Sequence, residues 1–201
     1  MERSGWRASN FGSFEEFWKG LTTRGGWWDP IYDFGERGRV LRTPSRKFSP
    51  TRLRQAARAD YIRTYTFPQG LFAKLQARRP ELTLKDCQLT ARALRQFFLA
   101  YLKSGRKYVS MPSQVADDLW HEFILYTKAY DDFCKHAFGG FLHHTPAMVL
   151  GPEKRDNEGL RRVWWYACKE ENIDPAKPLR LPLRFALDTK LGIADGFVYS
   201  P

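Results

Sequence analysis

The stretch that most limits what this chain can become runs from Gln114 to Phe138. It contains neither glycine nor proline, with Pro112-Ser113 before it and Gly139-Gly140 after it. Ser113 is of the N-cap type, because its hydroxyl accepts from an amide that the first helical turn leaves unpaired. Within the stretch, Val115, Leu119, Phe123, Tyr126, Tyr130, Phe133 and Ala137 recur at steps of three and four. That spacing lines side chains along one face of an α-helix. The pattern predicts one continuous helix over about 114–138 whose apolar stripe other helices must cover. The expected fold is all-α: a single irregular helical domain around this long central helix.

The flanking segments fit that class. Ser49-Pro50 opens a helix to about Thr64, and a second helix spans about Pro68 to Arg78, ended by Pro80. Thr83 and Asp86 form a capping-box pair ahead of Leu84, Cys87, Ala91, Leu94, Phe98 and Tyr101, and Ser104-Gly105 ends that helix. A further amphipathic helix is expected over about Glu158–Asn172. Pro175, Pro178 and Pro182 then mark a linker, and Phe185, Leu187 and Leu191 a last short helix. Residues 1–50 differ. A capping box at Ser13 and Glu16 predicts one short helix, Gly25-Gly26-Trp27-Trp28-Asp29-Pro30 reads as a loop, and 39–48 as loosely extended. The expected division is a loop-rich segment over 1–50 and a helical domain over 51–201.

Composition narrows the class further. Hydrophobic residues make up 43% of the chain, enough for a packed core. No apolar run approaches the roughly 20 residues that span a bilayer. Met1–Asn10 lacks the apolar stretch of a secretory signal, so a cytoplasmic protein is expected. Cys87, Cys134 and Cys168 are odd in number and form no CxxC pair, which reads as buried free thiols. The net charge of +11 suits a nucleic-acid partner, yet the arginines are scattered rather than massed.

All four histidines, His121, His136, His143 and His144, fall near Cys134 in sequence, which raises the question of a metal. On an unbroken helix His121 and Cys134 stand roughly 20 Å apart and about 140° apart in direction, so they cannot share an ion or form a nucleophilic dyad. Nothing between Glu122 and Phe133 signals a break. Cys134 with His143 or His144 passes the geometric test, because the Gly139-Gly140 turn lets the chain fold back toward the thiol. His121 has Asp117 one turn earlier and Trp120 beside it. A carboxylate at that spacing orients an imidazole, which serves a catalytic pair and a structural polar knot alike.

Asp117, Trp120-His121, Tyr130, Phe133-Cys134 and His143 resemble the signature of the bacterial relatives of the plant glycine-rich domain-containing proteins, over about residues 61–201. The resemblance implies a helical module and no particular reaction. Phe17-Trp18-Lys19-Gly20-Leu21, the Gly25–Pro30 loop and Thr43-Pro44-Ser45-Arg46-Lys47-Phe48 resemble a short fragment, within residues 12–49, of molybdopterin-dependent oxidoreductases of the dimethyl-sulfoxide-reductase class. Arg46 stands where that family has glycine, and the fragment carries no metal ligand and no complete pterin pocket.

No catalytic constellation assembles from these residues. The expected function is a small intracellular, non-catalytic interaction module with an unidentified protein partner and no cofactor. One alternative is a protein binding zinc or another transition metal through Cys134 and His143 or His144. The other is a nucleic-acid-binding protein with a basic surface.

Overall fold

A computed structural model describes residues 49–144 and 155–200. The expected features of residues 1–48 lie outside the described residues. Among the described residues there are seven α-helices and no strand. They are α1 (Pro50–Thr64), α2 (Leu71–Arg78), α3 (Leu84–Lys103), α4 (Gln114–Leu125), α5 (Thr127–Phe138), α6 (Arg155–Glu170) and α7 (Leu183–Leu191). No helix among them is long and apolar enough to cross a membrane.

The helix starts follow local chemistry. Ser49 Oγ accepts from the Arg52 amide ahead of α1, and Ser113 Oγ accepts from the Ala116 amide ahead of α4. At α3 the capping box closes in both directions: the Thr83 amide donates to the Asp86 carboxylate, and the Asp86 amide to Thr83 Oγ1. Helix α2 begins at Leu71 rather than Pro68 because Gly70, at φ 82°, turns the chain first.

The long helix expected over 114–138 is two helices. Tyr126 lies between α4 and α5 with ψ 60°, far from the helical value, so α5 leaves in a new direction. Its amide still donates to Phe123 O and its carbonyl accepts from Tyr130 N, so the break orphans neither group. The cause is tertiary. Helix α4 packs on α2, α3 and α7, whereas α5 packs on α1, and one straight rod does not serve both sets. The Tyr126 hydroxyl donates to Gln69 O in the turn before α2, pinning the bend.

The central strut is therefore α3, which packs against α1, α2, α4, α6 and α7. It buries Cys87, Ala91, Leu94, Phe97, Phe98 and Leu102, and so more than one face, while Leu84 is exposed. Phe133 of α5 sits among Tyr65, Phe98, Phe123 and Phe138, with ring centroids 4.6–5.7 Å away. The proline-broken segment after α6 covers that helix, and Trp164 Nε1 donates to Pro175 O.

Candidate functional site

Helix α4 projects Asp117, Trp120 and His121 from its middle turns. Asp117 and His121 are four residues apart and share a face, with His121 Nδ1 3.6 Å from Asp117 Oδ2. The closer partner of Asp117 comes from elsewhere: His144 Nε2 lies 3.0 Å from Asp117 Oδ1. A carboxylate oxygen only accepts, so the imidazole is the donor in this bond. The His121 and His144 rings approach to 4.3 Å between centroids. One ligand atom from each of Asp117, His121 and His144 lies within 4.8 Å of the other two.

The route of the chain explains how His144 arrives. Helix α5 ends at Gly139, whose φ of 75° reverses the chain. The returning segment is fixed at Leu142. Trp120 Nε1 donates to the Tyr130 hydroxyl (3.1 Å), which donates to Leu142 O (2.5 Å). The Leu142 amide and the Tyr130 hydroxyl both lie against the Cys134 thiol. His144 then reaches Asp117 and meets the Trp120 ring edge-on at 4.5 Å, while His143 packs against Phe141 at 4.8 Å.

The chain thus folds back at Gly139-Gly140 onto Cys134, but the group it delivers to the thiol is the Leu142 backbone. His144 goes to Asp117 and His121. Among the described residues, the cluster of ligand atoms includes neither Cys134 nor His143. Cys134 is wholly buried, and burial pushes its thiol pKa up. Cys87 and Cys168 are buried as well, and burial carries the Cys168 thiol up to about 12. All three are poor nucleophiles near neutrality. The side chains of Asp117 and His144 are 21% and 15% exposed and that of His121 is 40% exposed, so the cluster opens to solvent on the His121 side.

The residue next to Asp117 has another environment. Asp118 is wholly buried, with Oδ2 2.7 Å from Arg79 Nη2 and Oδ1 3.0 Å from Arg78 Nη2. Arg79 also forks onto Asp195 in the C-terminal segment. Asp188 of α7, also buried, accepts from Ser113 Oγ and from the Gln114, Val115 and Phe197 amides. A carboxylate at a helix N-terminus satisfies unpaired amides and opposes the helix dipole. Both anchors fix α4, and neither was evident in the sequence. Their partners lie 39 and 73 residues away along the chain, and no local spacing links them.

The fold and the cluster define an all-α module whose solvent-facing polar site is assembled from one helix and the turn after the next. By sequence the chain belongs to the UCP032817-like family, which matches residues 57–201. That span includes every helix from α2 onward and the whole cluster. No curated protein and no solved structure matches the chain.

Proposed function

We propose that this protein binds one divalent transition-metal ion through Asp117, His121 and His144. The reading is carried by the convergence of two imidazoles and a carboxylate, with ligand atoms inside a 4.8 Å span, at a partly open surface. Imidazole and carboxylate together suit zinc, iron(II) and their neighbours in the first transition row. Metal–ligand bonds of about 2.0–2.2 Å require a tighter cluster than this one. His121 is the most exposed member, so an inward turn of its ring is the adjustment that binding requires. An ion bound here replaces the hydrogen bond between His144 and Asp117, because it needs a lone pair from each.

Three protein ligands leave at least one position for water, the coordination of a reactive centre rather than of a closed structural site. Outside the three ligands, Trp120 and the Tyr130–Leu142 bond hold His144 in place, as groups behind metal ligands commonly do. Cobalt(II) and zinc(II) titrated separately into untagged, chelator-stripped protein test the proposal. About one equivalent should bind, with visible cobalt absorption that D117A and H144A each abolish while the helical circular dichroism persists. Less than about a tenth of an equivalent bound, or binding unchanged in both variants, overturns it.

A further inference from the structure

A second feature shares no residue with the Asp117 cluster. A cleft of about 920 Å³ lies between α3, the end of α6, and α7 with the segment leading into it. Its cations come from four parts of the fold: Arg63 of α1, Arg92 and Arg95 of α3, Arg180, and Lys190 of α7. Against them stand Glu170 and Glu171.

Both carboxylates are already occupied. Glu170 takes Arg63 and Lys103, and Glu171 accepts from Arg180, the Leu183 amide and Gln96. Next to them Arg184, wholly buried on α7, is attracted by the same two glutamates, and its Nε and Nη1 have no hydrogen-bond partner among the described residues. Burial lowers its pKa only to about 10, so it stays charged at neutral pH and adds to the positive field.

Three of the lining cations are left without a carboxylate among the described residues. Arg92 and Lys190 are exposed. Arg95 is held by a different means: its Nε and Nη2 donate to Tyr65 O, and its guanidinium lies 4.9 Å above the Phe67 ring. Its orientation is fixed while its charge is not neutralised. Like charges lining one cleft repel one another, an unfavourable contribution to the folded chain. With Glu170 and Glu171 already paired, cations are in excess along the cleft, and a concave surface with an excess of one sign concentrates ions of the other.

We propose that this cleft binds a phosphorylated small molecule, with the phosphoryl group between Arg92, Arg95 and Lys190. The Arg92 guanidinium can match two phosphate oxygens as a fork, Arg95 offers Nη1 beside its bonds to Tyr65 O, and the Lys190 ammonium adds a point charge. Leu89, Leu181 and Leu183 supply apolar surface for an organic body, and the volume lies within the range of about 300–1,000 Å³ usual for such ligands. A nucleic-acid strand fits less well, because no aromatic side chain among the described residues lines the cleft to stack a base.

Inorganic pyrophosphate, titrated calorimetrically into the full chain at low ionic strength, tests the site. The expected result is saturable one-to-one binding, weakened at least about tenfold in R92A/K190A. Both positions are exposed and without a carboxylate partner among the described residues, so the fold should persist. The control R54A/K74A removes equal charge from α1 and α2, outside the cleft, and should leave the affinity unchanged. Absence of saturable binding, or an equal loss in the control, overturns the proposal and reduces the effect to overall basicity. Binding to anionic vesicles or a single-stranded oligonucleotide that depends on Arg92 and Lys190, without pyrophosphate binding, overturns the small-molecule assignment.

Discussion

Asp117 and Asp118 are neighbours on one helix and carry the same side chain, yet they belong to different parts of the molecule's physics. Asp118 points inward to two arginines and is wholly buried. Asp117 points to two histidines and remains in contact with water. Arginine stays protonated across the physiological range, so the inward carboxylate has fixed partners and acts as an anchor. Imidazole titrates near neutrality and offers a lone pair to a metal, so the outward carboxylate has partners that can change state. Successive helix positions diverge by about 100°, and here that angle separates an anchor from a site.

The sharpest way to break the comparison is to remove each carboxylate in turn. Asp118→Ala removes the buried carboxylate that Arg78 and Arg79 share, leaving them only Glu122 and Asp195, and should destabilise the protein by about 3 kcal/mol in denaturant titration. Asp117→Ala removes a partly solvated interaction with imidazoles and should cost about 1 kcal/mol, while metal binding is lost. If the two variants lose similar stability, the division between anchor and site is wrong.

A smaller effect tests how far the outward cluster depends on its support. Tyr130→Phe removes the hydroxyl that joins Trp120 to Leu142 and strands a buried donor and a buried acceptor. The expected loss is about 1–3 kcal/mol, with cobalt affinity falling about tenfold as His144 loses its fixed approach. Stability falling while affinity stays constant would show that His144 is held by Asp117 alone.

How much of this could be read in the sequence divides along the same line of local against distant. The caps at Ser49, Thr83–Asp86 and Ser113 depend on residues three apart, and each forms. The Asp117–His121 pair was likewise visible as a four-residue spacing. The bend at Tyr126 was not. No glycine or proline marks it, and its cause is the turn at Gln69 and the different partners of α4 and α5. The straight-helix distance between His121 and Cys134 therefore does not apply to the folded chain. Gly139-Gly140 announced a reversal of the chain. Which side chain it would carry to which partner depended on how Leu142 is held, and a one-residue difference separates His143 from His144. Arg78 and Arg79 looked like two more scattered charges because nothing near them in sequence points to Asp118.

The smallest expected effect concerns the outer end of the inward network. Arg79 bridges Asp118 and Asp195, and its hydrogen bonds hold the Asp195 carboxyl below the ordinary carboxylate range. A folded-state pKa below the unfolded value of about 3.9 contributes stability at higher pH and loses it as pH falls through the folded value. Asp195→Asn should therefore flatten the decline in stability below about pH 5 without abolishing it. Glu170 and Asp86 contribute to the remainder: burial alone would raise the Glu170 pKa, but Lys103 and Arg63 outweigh burial and lower it, and the Thr83 hydrogen bonds lower that of Asp86. The difference between Asp195→Asn and the parent at neutral pH should stay under about 1 kcal/mol, because Asp195 is mostly exposed and water screens the pair. Denaturant titrations at neutral pH and in the acid range read both quantities. A loss at neutral pH as large as that of Asp118→Ala would mean that Asp118 cannot hold Arg79 unaided, and that the anchor includes the C-terminal segment.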